Sequence, residues 1–474
     1  MLCRSFVRVL VICTLVVLAV TAAQAAVKLP AVIGDNMVLQ RDRPVPIWGW
    51  ADKGEEVTVT VAGQKHTAKA DKGGRWKVTL DKLAVGRPLT MTVAGSSGNK
   101  ITVKHILVGE VWVCSGQSNM EMGVGGCNDA AKEIAAAKYP RIRLFTVEKA
   151  KAAQPATNVK GSWTPCSPKS VGNGGWGGFS ATAYFFGRQL YKELKVPIGL
   201  IHTSWGGTLA EFWTSRKALE ANPMLKPLAQ GEASCLYNAM IAPLIPYAIR
   251  GAIWYQGEAN VGAAYRYRTL FPAMIANWRA DWGEGDFPFL FAQLAPYNYH
   301  NGGANLACCP ELWEAQLLTL KSTPNTGMAV TTDIAGDLKD IHPKNKQDVG
   351  KRLALWALAN VYGRKLVYSG PFYKSMTVEG DKIRLEFDHV GGGLISRDGK
   401  PLSDFTIAAA DQKFVPATAT IDGDSIVVHS GKVAKPEAVR FGWHDDATPN
   451  LANKEGLPAS PFRTDKWKGV TEGR

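Results

Sequence analysis

The apolar positions of this 474-residue chain follow three different patterns. Between residues 27 and 105, short runs such as EEVTVTVAG, RWKVTL, PLTMTVAG and KITVKHI alternate or carry β-branched residues, with Gly, Asp and Lys clusters between them. A period of two turns one face of each run inward, so this part reads as a small antiparallel β-sandwich. Residues 366–474 show a similar pattern in DKIRLEF, SIVVHS and AVRFGW. The middle differs. EVWVCSG, VPIGLIHTSWGG, RGAIWYQGE, FPFLFAQL and TGMAVTTD are compact apolar runs, the signature of strands buried on both faces. Helical patterns accompany them: SATAYFFGRQLYKEL starts at the capping residue Ser180, and DVGKRLALWALANVYG ends on Gly363. Strands alternating with helices predict an α/β fold with a doubly wound parallel sheet over residues 106–365, flanked by β-sandwich-like domains at 26–105 and 366–474. Ligands of such a sheet bind beyond the carboxyl ends of its strands.

The first 25 residues fall outside this scheme. Arg4 and Arg8 precede the apolar run VLVICTLVVLAV, and Ala23–Ala25 (AQA) offers the small residues a signal peptidase needs. The run is short for a bilayer span, so residues 1–25 are expected to be a cleaved signal peptide and the protein to be exported. No later apolar run has spanning length, and no membrane insertion is expected after cleavage. The formal charge of +14 falls to about +12 once Arg4 and Arg8 are removed. Lys and Arg are scattered, without the concentrated stripe that nucleic acid would require, and a solvated basic surface accounts for them. Six cysteines remain after cleavage (Cys114, Cys127, Cys166, Cys235, Cys308 and Cys309), and none shows C-x-x-C spacing. No zinc or other metal is expected.

Four polar motifs begin where buried strands stop. The first is Gly116-Gln117-Ser118-Asn119, a strand-to-helix turn that would expose the Ser118 hydroxyl beside free backbone N–H groups. The second, TSWGGT, holds Gly206 and Gly207, where the backbone approaches closely or takes a positive φ. The third, WYQGEAN, supplies the amides of Gln256 and Asn260. The fourth, DLKDIHPKNK, holds Asp337, Asp340 and His342. A serine hydroxyl attacks only when a base takes its proton. Of the eight histidines, five fall in or beside the β domains, His300 lies in a Gly/Asn-rich loop, and His202 sits inside a buried strand run. His342 alone combines a strand-end loop with a nearby carboxylate. The strict G-x-S-x-G elbow is absent, because Met120 takes the last glycine position. Each motif alone is an ordinary turn; together in one sheet they predict a serine hydrolase.

GEVWVCSGQSNMEM, IHTSWGGTLAEFW, LYNAMIAPLIPYAIRGAIWYQGEAN and DIHPKNKQDVGKRLALWAL together resemble the sialate O-acetylesterase family, within the SGNH group of serine hydrolases. The resemblance extends to NMVLQRDRPVPIWGWA and NLANKEGLPASPFRTD, and so covers nearly all of the chain after residue 25. It implies a flavodoxin-like catalytic domain with Ser118 as nucleophile and His342 as base. It also implies an oxyanion hole made from the Ser118 N–H, a glycine (Gly206 or Gly207) and an amide, Gln256 or else Asn260. Glu258 would brace that loop. Where much of the family has an arginine before EAQ, this chain has Trp313, a change expected to alter the substrate pocket. Asp340, two residues before His342 and on the same side of an extended segment, is expected to orient the imidazole, with Asp333 as the alternative. Trp205, Trp254 and Tyr255 either stack on a sugar ring or pack the sheet edge. The expected activity is removal of acetyl groups from sugar hydroxyls without a cofactor, on sialic acids or on acetylated plant polysaccharides such as xylan. The reading from another class is a glycan-binding protein with a degenerate hydrolase fold. The oligomeric state is not legible.

Overall fold

A computed structural model describes residues 27–299 and 307–473; the expected signal peptide and His300 lie outside them. The centre is a mostly parallel sheet whose strands run across it as Thr326–Ala329, Phe289–Ala292, Gly251–Tyr255, Lys100–Gly116, Ile198–Ser204, Tyr139–Thr146 and Trp163–Cys166. Only the last of these is antiparallel to its neighbour. The five apolar runs singled out in the sequence are all strands of this sheet. Helices Ala181–Leu194 and Lys346–Asn360 form where the 3.6-residue pattern lies, the first capped by the Ser180 side chain accepting from the Ala183 N–H.

The five expected strands keep the flavodoxin-like order, and the sheet is longer than expected by two strands at one edge. Numbered among themselves these strands run 2-1-3-4-5, and Tyr139–Thr146 and Trp163–Cys166 are added beyond Ile198–Ser204. Ile198–Ser204 is buried at every residue and suits the inner slot, whereas Tyr139–Thr146 is buried over only part of its length and sits further out. The chain first builds on one side of Lys100–Gly116 and then crosses to the other. The switch point is therefore the end of the serine strand, where Ser204 and Tyr255 both register with Gly116.

The Lys100–Gly116 strand also belongs to the N-terminal β structure. Its first part pairs antiparallel with Leu89–Gly95, and Leu107–Gly109 pair with Val38–Gln40 before the strand enters the parallel sheet. The boundary expected at residue 105 thus falls inside a strand, and one continuous core joins residues such as Val59, Met91, Val113 and Phe291. Beyond residue 371, three antiparallel sheets contribute to a second core that includes Ile383, Leu394, Ile407, Val428 and Phe441. Among the described residues, no helix is long and apolar enough to cross a membrane.

Candidate active site

Three neighbouring strand ends bring the site together. A side chain at Gly116 would lie 2.1 Å from the Tyr255 carbonyl oxygen, so only glycine lets the serine strand end beside its neighbour. The backbone then makes one helical turn, Ser118–Glu121. The Ser118 N–H, first in that turn, has no carbonyl of the turn to bond. A Cβ built on Gly206 would sit 3.2 Å from Ser118 Cβ, whereas Gly207, at φ +72°, faces open space. Of the two glycines, Gly206 is the one beside the serine.

His342 Nε2 lies 3.0 Å from Ser118 Oγ. Asp340 Oδ1 accepts from the His342 backbone N–H at 2.9 Å and lies 3.5 Å from His342 Nδ1. Asp340 reaches the imidazole by this local turn rather than along an extended segment. Asp333 is engaged elsewhere: both its oxygens accept from the Arg352 guanidinium, at 2.7 and 2.6 Å, tying the strand end to helix Lys346–Asn360.

A buried network holds serine and histidine in register. Asn119 Nδ2 donates to the Ile341 carbonyl at 3.0 Å and also to Glu258 Oε1, and Asn119 Oδ1 accepts from Lys346 Nζ at 2.5 Å. Burial raises the Glu258 carboxyl and pulls the Lys346 ammonium down to about 7. Burial, then the Lys346 charge, lowers His342 below its usual 6.5, against the opposing pull of Asp340. On the open side the Trp176 ring stands edge-on to His342 with centroids 4.7 Å apart. Trp176 is 42% exposed and lies between glycines at φ +47°. Asn119 and Lys346 lie within the first and fourth strand-end motifs without a role legible there, and Trp176 was not singled out in the sequence.

Other expected residues are not in the site. Gln256 is fully buried, its amide donating to Thr208 O at 3.1 Å and Asn260 Oδ1 at 2.6 Å while its Oε1 accepts from Tyr267. Asn260 in turn donates to Glu211 at 3.0 Å. Both amides hold the third strand-end loop together instead of facing a substrate. Trp254 and Tyr255 are also fully buried, Trp254 among the rings of Trp213, Phe271 and Trp278. Their aromatic surface packs the sheet, so neither can stack on a sugar. Trp313 is a core residue too, donating to Leu294 O at 2.6 Å, and does not shape the open side of the site. Trp205 remains half-buried beside Gly206, under the ammonium groups of Lys149 and Lys151.

Residues 108–359 match the family described as carbohydrate esterase, sialic acid-specific acetylesterase. The chain is 33% identical to sialate O-acetylesterase of Rattus norvegicus over 87% of its own length and 88% of the relative's. The chain belongs to this carbohydrate esterase family. It is accordingly a carboxylic-ester hydrolase. The human sialate O-acetylesterase is 30% identical, with 91% of each chain covered. A solved carbohydrate acetylesterase from Xanthomonas citri superposes with a TM-score of 0.86 at 42% identity, covering 93% of this chain and all of the other.

In this family member, the wall behind Ser118 carries one more polar group. Glu121 Oε2 accepts from the Gly206 N–H at 2.6 Å, and its Oε1 accepts from Lys149 Nζ at 2.6 Å. Glu121 also lines a cavity of about 970 Å³ that extends away from Ser118. All six cysteines of the described residues are buried.

Proposed function

We propose that the protein is an exported carbohydrate O-acetylesterase that acts through an acetyl-enzyme on Ser118. The 3.0 Å approach of His342 Nε2 to Ser118 Oγ, at the switch point of the sheet, carries this reading. With Asp340 on the Nδ1 side, the imidazole proton resides on Nδ1, and Nε2 accepts from the Ser118 hydroxyl. His342 takes that proton as Ser118 Oγ bonds to the acetyl carbon. The oxyanion is met by the Ser118 N–H, and by the Gly206 N–H once its bond to Glu121 Oε2 opens. His342 then protonates the departing sugar oxygen, and in the second half it activates the water that releases acetate.

The basic, apolar and small-residue pattern of residues 1–25 supports export. The names of the relatives support a sialic acid ester as the substrate; an acetylated plant polysaccharide such as xylan is the competing one. Acetate release from O-acetylated sialic acid and from acetylated xylan, measured side by side with a Ser118→Ala control, tests the proposal. Release from neither substrate by the wild type would leave a degenerate glycan-binding protein as the better reading.

A further inference from the structure

The cavity behind Glu121 is larger than an acetyl group needs and is lined for a different ligand. Its volume of about 970 Å³ is near the top of the roughly 300–1,000 Å³ typical of whole small-molecule sites. Ser162, Thr164 and Asn173 contribute uncharged hydroxyl and amide groups, and Phe179 contributes apolar surface. His202 also lines it, with Nε2 2.6 Å from Ser204 Oγ and Nδ1 buried without a partner. Burial, then the Lys149 charge, holds the His202 pKa at about 4, so this ring is neutral. Lys149 is paired with Glu121, and the other charged lining residues, Lys169 and Glu148, are opposite in sign, so the lining has no net formal charge with which to select an anion. Neutral donors and acceptors interleaved with apolar patches suit an uncharged, polyhydroxylated chain.

Glu121 connects this cavity to the chemistry. A Gly206 N–H already bonded to a carboxylate has no capacity to stabilise an oxyanion, and a second negative charge there opposes one. We propose that the cavity is a glycan subsite for uncharged sugar units beside the acetylated one, and that Glu121 couples its filling to the oxyanion hole. The proposal rests on the acetylesterase reading above. A sugar hydroxyl in the cavity donates to Glu121 Oε2, the carboxylate stays on Lys149 through Oε1, and the Gly206 N–H is released to the acetyl oxygen. Binding of the sugar chain thereby completes the catalytic site, a form of induced fit. An aryl acetate has no hydroxyl to offer and meets a hole still capped.

Rates on 4-nitrophenyl acetate and on acetylated xylo-oligosaccharides, for the wild type, Ser162→Trp and Glu121→Ala, test both halves. Ser162→Trp places an indole in the cavity; it should raise KM for the oligosaccharides about tenfold or more and leave the aryl acetate rate unchanged. Glu121→Ala should raise kcat for the aryl acetate by about threefold or more and shrink the preference for the oligosaccharides. Should Ser162→Trp melt early, Asn173→Trp on the exposed rim takes its place. Tryptophan variants that leave the oligosaccharide KM unchanged, or that depress both substrates alike, overturn the subsite. A Glu121→Ala enzyme slower on the aryl acetate makes Glu121 a strut and overturns the coupling. A wild type that cleaves the aryl acetate but not the oligosaccharides also overturns the subsite while leaving the esterase chemistry standing. A wild type that cleaves neither of these, nor O-acetylated sialic acid, overturns the acetylesterase reading itself.

Discussion

Asn119 donates through its Nδ2 to the main-chain carbonyl of Ile341, 3.0 Å away. The residue after the serine is thereby bonded to the residue before the histidine, across 222 positions of sequence. The separation between Ser118 and His342 is set by this bond, not by the flexibility of the loop that carries the base. Asn119→Ala should therefore lower kcat by on the order of 10²-fold with little change in KM, because small misplacement of reacting groups is costly. It also leaves Lys346 Nζ without its acceptor, and thermal melting should show a loss of about 1–3 kcal/mol. A variant with normal kcat would remove Asn119 as a positioning residue.

Replacing Ser118 by Ala removes the covalent route, and kcat should fall by on the order of 10⁴-fold or more at unchanged melting temperature. Steady-state assays with 4-nitrophenyl acetate check this, and near-normal turnover would remove Ser118 from the mechanism.

The two aspartates should separate by phenotype. Asp340→Asn puts an amide beside His342 Nδ1, favours the wrong tautomer, and can cost on the order of 10⁴ in rate. Asp333→Asn weakens the paired contact with Arg352, so its main effect should be a lower melting temperature, up to the roughly 3–5 kcal/mol of a broken buried ion pair. A large rate loss in Asp333→Asn alone would reverse the assignment.

His342 has to be neutral to accept the serine proton. Burial and the Lys346 ammonium both disfavour the imidazolium, so kcat/KM should fall on the acid side with a midpoint below pH 6.5. Lys346 is held at about 7 and is largely protonated over that range. Lys346→Met deletes the repelling charge, and the acid limb should move to higher pH. A limb that stays in place would show that the charge is not sensed by the base.

Gln256→Ala should cost stability rather than catalysis. Its amide hydrogens are committed to Thr208 O and Asn260 Oδ1, and removing them orphans buried groups at about 1–3 kcal/mol each. A kcat loss of about 10²–10³ in a variant of normal melting temperature would return Gln256 to the oxyanion hole.

What the sequence disclosed follows from what is local. Five strands were legible because each is apolar on both faces, and Ser118, Asp340 and His342 because each closes a strand-end motif. Tyr139–Thr146 was missed since Tyr139, Pro140, Arg141 and Thr146 are not buried and interrupt the apolar run. Gln256 was misplaced, and Trp254 and Tyr255 took the packing alternative, for a different reason. A strand end supplies both the rim of a site and the top of a core, and only the packed neighbours decide which way a side chain turns. Lys346 and Asn119 stand inside two of the strand-end motifs, but their roles were not legible, because their meeting depends on a contact 227 residues apart.

The strand that ends at the serine begins in another part of the molecule. Its 17 residues span roughly 55 Å at about 3.3 Å each, like a beam fixed at one end in the N-terminal β structure. Trimming the chain to start at residue 106 would sever the beam and strip Leu107–Gly109 of their Val38–Gln40 partners. The N-terminal β structure is thus a foundation for the nucleophile instead of a detachable appendage. Heat should melt the two together in one calorimetric transition, and a protease nick between them should silence the ester chemistry from a distance.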